Sequence, residues 1–258
     1  MNENYKPLIS GANIIRYLVT SNIDEYIHYG DWLGAPREER FFTKPRIIVR
    51  QIVSGNPPRI YAGYTEEPLY FTQIGFSIIP KPKTINVKVL LALINSKLLN
   101  FYHKYSFLDL EKELFQKILI ANCKKFPISK KLIDVENIDV ISLVNEVIKL
   151  TLNESETLLK FTKYIKQTSK ITLTRKLENW HELDFADFIK ELNKAIKKVG
   201  GTPLTKKDEF EWLELFEDKK KKAQELQTQI TQTEKQIDQM VYDLYGLTKE
   251  ERDIVENS

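Results

Sequence analysis

The 258-residue chain is 42% apolar and 29% charged, with a mean hydropathy of −0.37. That balance supports a buried core in one large domain or two modest ones, and no run reaches the ~18 apolar residues that a membrane helix requires. A single cysteine, Cys123, rules out an intrachain disulfide framework and a cysteine metal site, and the start MNENYKPLIS lacks a signal-peptide layout, so a cytoplasmic location is expected.

The net charge of +3 is unevenly distributed along the chain. Residues 1–128 hold 17 Lys+Arg against 11 Asp+Glu, and residues 129–258 hold 22 against 25. Five of the eight arginines (Arg37, Arg40, Arg46, Arg50 and Arg59) fall within 23 residues. Arginine offers a planar fork to phosphates and guanine edges, so this cluster points to a polyanion partner for the first half. A solvated basic face is the bland alternative.

In chain order, residues 46–53 are rich in β-branched side chains and end at the Ser-Gly-Asn-Pro-Pro turn of residues 54–58. Residues 59–64 are expected to return as the second strand of a hairpin. Residues 69–72 and 76–79 read as two further short strands, bounded by Glu66-Glu67-Pro68 and Pro80-Lys81-Pro82. Asn86 is a candidate N-cap for a helix whose apolar face runs from Val87 to Tyr102. Residues 117–120 read as a last strand, and Pro127 disfavours a helix across that point.

The second half is helical by pattern. Val140, Ile141, Val144, Val147 and Ile148 mark one helix, and Asp184 caps another with Phe185, Phe188, Ile189, Leu192 and Ile196 on one face. After a break at Gly200-Gly201-Thr202-Pro203, Thr205 and Asp208 resemble a capping box. A long helix over about 205–245, roughly 60 Å at ~1.5 Å per residue, then carries a coiled-coil-like seam. The seam comprises Phe216, Ala223, Leu226, Ile230, Thr233, Ile237, Met240 and Leu244, with Lys219 filling one slot. Gly246 is the expected stop. A rod of this length needs another helix to lie on, from its own chain or from a second copy. The predicted architecture is α+β: a mixed strand–helix domain over 1–128 and an all-helical part over 129–258.

No catalytic constellation emerges. Asn56-Pro57-Pro58 is three quarters of the Asn-Pro-Pro-aromatic motif of DNA amino-methyltransferases, but Arg59 stands where the stacking aromatic belongs and no glycine-rich cofactor loop precedes it. The chain has no Pro-Asp dipeptide to begin a nuclease site. Glu217-Asp218-Lys219 reads as solvated helix charges. His28, His103 and His181 lack zinc spacing. Cys123 lies beside Lys124 and Lys125, which would lower its pKa if they approach it, but a structural cysteine near a strand end is the expected reading.

Several stretches together resemble one family. Residues 9–17 (ISGANIIRY), 42–50 (FTKPRIIVR), 70–80, 90–102 (LLALINSKLLNFY), 115–118, 125–128 and 237–248 (IDQMVYDLYGLT) are similar in order and spacing to the TaqI-like C-terminal specificity domain of bacterial type II restriction–modification enzymes with adenine-specific DNA methyltransferases. The resemblance implies a target recognition domain followed by a helical spacer or interaction part. It implies double-stranded DNA as ligand and a methyltransferase domain or subunit as partner. S-adenosylmethionine and magnesium would belong to that partner, so neither cofactor nor metal is expected here, and the chain is not expected to be an enzyme by itself.

For this chain's own residues, Arg46 and Arg50 lie four apart on a strand and would share one face. The candidate DNA-binding residues are Arg37, Arg40, Lys44, Arg46, Arg50, Gln51, Arg59, Tyr61, Tyr64, Lys81 and Lys83. The loop cations, with Lys81 and Lys83, would hold phosphates, and one or two strand arginines would read bases. The alternatives are a helical scaffold or homodimer with no DNA role, and an enzyme in its own right that would have to bind S-adenosylmethionine.

Overall fold

The structure is a computed structural model that describes residues 5–55, 57–81, 84–111, 116–134 and 138–258. The chain is α+β and divides into two compact units, residues 1–148 with 232–258, and residues 149–231. They are called here the strand unit and the helical unit.

The strand unit opens with β1 (Tyr5–Leu8), β2 (Tyr17–Leu18) and β3 (Glu25–His28); β1 and β3 pair antiparallel. A short helix α1 (Arg40–Thr43) leads into β4 (Arg46–Arg50), followed by β5 (Ala62–Thr65) and β6 (Gly75–Ile78). These form a four-stranded sheet in the order β2-β5-β4-β6, with β4 antiparallel to both neighbours and β2 parallel to β5. Gly63 is required where β2 crosses closely, because a Cβ there would lie 2.3 Å from the Leu18 carbonyl oxygen. The expected hairpin is present, with Ile47 opposite Tyr64 and Ile48 opposite Gly63.

Both faces of β4 are covered, since Arg46, Ile47, Ile48 and Val49 are all buried. Ile48 packs with Ile9, Ile14, Val19 and Leu69. Helix α2 (Val87–Asn95), buried from Val89 to Asn95, lies against β5, β4 and β2.

Three expected elements are revised. The helix expected from Val87 to Tyr102 breaks at Ser96, which is extended (ψ 153°), and restarts as α3 (Lys97–Phe107). Ser96 Oγ accepts the Leu99 N–H and donates to the Leu93 carbonyl, so one side chain caps both helices. In residues 69–72 only Tyr70 is paired, through a bridge with Leu8. Lys117 makes one bridge with Ile52, and the chain then turns into α4 (Ile120–Cys123) instead of continuing as a strand.

After α5 (Lys131–Asp134), helix α6 (Ile138–Ser169) contributes residues to both units. The helical unit continues with α7 (Arg175–Glu178), a 3-10 turn over Trp180–Glu182 and α8 (Phe185–Lys198). As expected, Asp184 caps α8, accepting the Asp187 N–H at 2.7 Å. Helix α9 (Lys206–Tyr245) starts at the expected reciprocal cap: Asp208 accepts the Thr205 N–H at 2.8 Å and Thr205 Oγ accepts the Asp208 N–H at 3.2 Å. It ends at Gly246, whose φ of +70° suits glycine at a helix stop. In the helical unit, Phe216 and Ala223 of α9 join Phe161 and Ile165 of α6 and Phe188 and Leu192 of α8 in one core around Trp180. The first half of the seam therefore finds its partners within the chain.

The second half of α9 belongs to the strand unit, with Ile237, Val241 and Tyr242 buried. Asp238 accepts the Lys97 N–H at 2.8 Å, and Glu234 pairs with Arg16 at 2.9 Å. The last helix, α10 (Lys249–Glu256), starts at a Thr248–Glu251 capping box and ends with Glu256 accepting from Tyr242 Oη at 2.9 Å and pairing with the Lys97 ammonium. Residues 232–258 carry 3 basic and 7 acidic side chains, and residues 1–148 carry 19 and 15. The strand unit is thus neutral, while residues 149–231, with 17 against 14, hold the whole surplus of +3.

Candidate nucleic-acid interface

The strand hypothesis is corrected first at Arg46. Its side chain is wholly buried and donates to the backbone carbonyls of Lys44 (2.8 Å), Glu67 (3.0 Å) and Leu69 (3.0 Å). Burial without a carboxylate lowers its pKa to about 10. Arg46 is a tie between the start of β4 and the 67–69 segment, and it cannot reach a ligand as it stands. The alternation of Arg46, Ile48 and Arg50 onto one face is real, but that face is covered at Arg46 and Ile48.

Arg50, at the far end of β4, is half-buried and lies at the loop end of the hairpin. Its Nε donates to the Ile52 carbonyl at 3.1 Å, its Nη2 donates to Ser54 Oγ, and its guanidinium sits 3.9 Å from the centre of the Tyr61 ring. Burial lowers its pKa, opposed by Tyr61. Ser54 and Arg59 exchange backbone hydrogen bonds at 3.3 and 2.8 Å and close the loop that holds Pro57 and Pro58; Asn56 lies outside the described residues. Arg50, Tyr61 and Arg59 are therefore gathered at one end of the hairpin.

Two asparagines hold that end in place. Asn95 clamps Ala62 from both sides, accepting its N–H at 3.3 Å and donating to its carbonyl at 2.9 Å. Asn100 Oδ1 accepts the Ile60 N–H at 2.6 Å. Satisfied buried amides of this kind fix backbone position. A cleft of about 130 Å³ opens where α3 meets the loop, and its walls include Pro57, Pro58, Arg59, Lys97, Asn100 and Lys104. Lys97 and Lys104 lie seven residues apart, two turns on one face of α3. That spacing is visible in the sequence, but not the loop that folding places beside it. Glu256 also lines the cleft and pairs with Lys97, so the basic wall is partly neutralised.

The other candidates lie apart from this group or remain single. Arg40 is exposed and pairs with Glu38 at 2.9 Å. Arg37 borders a separate cleft of about 460 Å³ whose charges are mixed, with Lys6 facing Asp31, Glu38 and Glu39. Lys44 and Lys81 are exposed. Gln51 is half-buried, and its backbone links to Ile74 and Ile118. The Tyr64 hydroxyl donates to Glu66 at 2.5 Å, and burial and that carboxylate raise its pKa. Lys83 lies outside the described residues.

Cys123 fits the structural reading. Burial pushes its thiol up to about 12, so the neighbouring lysines do not activate it. Among the described residues, no group of three or more His, Cys, Asp or Glu is placed to hold a metal ion, and no helix is long and apolar enough to cross a membrane. What the hairpin end offers is cationic and aromatic: fork donors, a stacked tyrosine and lysines at the lip of a shallow cleft. These groups can hold phosphate oxygens and base edges.

Residues 6–128 match the family model of the TaqI-like C-terminal specificity domain, a match that spans both sheets and helices α1 to α4. Residues 133–241 match a domain of unknown function (DUF8810). No curated protein matches the chain.

Proposed function

We propose, with residues 6–128 a TaqI-like C-terminal specificity domain, that this chain is the DNA-recognition part of a restriction–modification system. In this reading it selects the site at which a separate or fused adenine methyltransferase or endonuclease acts. It performs no chemistry itself, and S-adenosylmethionine and magnesium act on the catalytic partner. The observation that carries the reading is the grouping of Arg50, Tyr61 and Arg59 at a hairpin end braced by Asn95 and Asn100. Arg50 and Arg59 are the proposed base or phosphate contacts, and Lys44 and Lys81 are proposed outlying phosphate contacts.

The test is selection of duplexes from a random-sequence pool by the full chain, followed by gel-shift titration of the enriched duplex against salt. Enrichment of a defined sequence is expected. Arg59→Ala should weaken binding and flatten the salt dependence by about one unit of slope. A chain that enriches no sequence, alone or with its methyltransferase, would sink the proposal. Calorimetry with S-adenosylmethionine separates it from an enzyme reading, which requires a binding heat.

A further inference from the structure

Folding redistributes charge in a way that chain order conceals. The acidic residues 232–258 join residues 1–148 and cancel their surplus, so the helical unit is the positive one. Within that unit one cleft stands out. It has a volume of about 330 Å³ and lies between α6 and α9. Its apolar lining is Phe161, Tyr164 and Leu215, and its charged lining is Lys160, Lys219 and Lys222, with no carboxylate. The other three clefts described for this chain each include at least one Asp or Glu in their lining.

Lys219 is the informative residue. It occupies a seam slot on α9 between Phe216 and Ala223, both of which are buried in the helical core. An apolar side chain there would extend that core. Lysine can lay its methylene stem on apolar surface and keep its ammonium in water, and Lys219 has side-chain exposure of 38%. The Lys160 side chain is more exposed still, at 75%, so these ammonium groups stay accessible beside the apolar lining. A cleft with low-dielectric walls and charges of one sign concentrates its field outward and gathers counter-ions. The existing ion pairs do not block it. Lys219 pairs with Asp218 at 2.8 Å and Lys160 with Glu156 at 2.7 Å, and both carboxylates are more than half exposed. Exposed local pairs of this kind are weak and yield readily to a polyanion.

We propose that this lysine-rimmed cleft is a second, sequence-independent contact for the DNA phosphate backbone, so that the helical unit contributes grip without specificity. The inference rests on the recognition reading above and adds a residue-level role for the domain of unknown function. The lysines contact phosphate oxygens and displace condensed counter-ions, which makes the contribution strongly salt-dependent.

The test compares the full chain with the triple variant Lys160→Gln, Lys219→Gln, Lys222→Gln and with the corresponding triple lysine-to-arginine variant. Each is titrated with the random-sequence duplex pool over a range of salt, with circular dichroism as the folding control. At ~0.9 unit of slope per phosphate contact, the glutamine variant should lose between two and three units of slope. The arginine variant should keep the parent slope, and the sequence enriched by selection should be the same for all three proteins. An unchanged slope and affinity in a folded glutamine variant overturns this inference while leaving the recognition reading intact. A glutamine variant that keeps its slope but enriches a different sequence overturns it too. A parent chain that binds no duplex at low salt overturns both.

Discussion

The two units are stabilised by different means. The strand unit buries Arg46, Asn95, Ser96, His103 and Asp238 among its apolar groups, and backbone hydrogen bonds to Arg46, Asn95 and Asp238 join its elements. The helical unit centres on rings: Trp180 lies 4.5 Å edge-on from Phe161, and Phe188 stacks on Phe216 at 4.7 Å. A core of buried polar ties specifies geometry sharply and responds to protonation. A core of rings responds mainly to lost volume.

Mutations can break that contrast from either side. The largest effect is expected from Trp180→Ala, which empties the centre of the helical core. It should cost about 3–5 kcal/mol, with loss of amide protection concentrated in residues 158–223 by hydrogen exchange. Next is Arg46→Ala, which leaves the Glu67 and Leu69 carbonyls without their donor. A loss of about 3 kcal/mol is expected by denaturant titration. Arg46→Lys should recover little of it, because a single ammonium cannot reproduce the guanidinium fork. If Arg46→Ala keeps full stability and loses DNA binding alone, the assignment of Arg46 as a tie is wrong.

Asp238 tests the pH response. Burial raises its carboxyl to about 6, against the opposing Lys97 N–H and Arg16. A raised carboxyl pKa favours the folded state while protonated, so its contribution declines as pH rises from the ordinary value near 3.8 to about 6 and then levels off. Asp238→Asn keeps an oxygen to accept the Lys97 N–H and removes the charge. Above the upper limit it should be more stable than the parent by at most about 3 kcal/mol, and below the lower limit no more stable. A thermal-melt series over that interval checks it.

His103 shifts the other way. Burial lowers its pKa from 6.5 to about 4, and its Nε2 has no hydrogen-bond partner. A depressed histidine favours the folded state while neutral, so stability falls as pH drops from 6.5 to about 4. His103→Leu should give a shallower acid limb over that range in acid-unfolding curves. The smallest stability change is expected at the hairpin end. Arg59→Ala should alter folding by no more than ~0.5 kcal/mol, because its side chain ties no elements together, while changing the salt dependence of binding.

Local chemistry was legible in residue order. Asn86, Asp184 and the Thr205–Asp208 pair cap the helices they were expected to cap, and Gly246 ends the long one, because caps and stops depend on residues within one turn of each other. The β4–β5 hairpin was legible for the same reason. Ser96 was missed because the apolar period runs through it on both sides, and its double cap depends on an extended backbone that periodicity does not reveal. The grouping of Lys97 and Lys104 with the Pro57–Arg59 loop was not legible for a similar reason, because folding alone places that loop beside them.

The sequence by itself determined the α+β order of elements, the arginine cluster around the Asn-Pro-Pro turn and the long helix with a lysine in its seam. The tertiary structure alone decided which of those side chains are covered and which charges lie together. Alternation puts Arg46 and Arg50 on one face, but only packing shows that the 67–69 segment covers the first while the second stays at the hairpin end. Likewise, only the return of residues 232–258 to the strand unit shifts the positive surplus to the helical one. A side chain's direction follows from local geometry, whereas its cover and its electrostatic neighbours come from segments distant in the chain, and no short-range pattern encodes those.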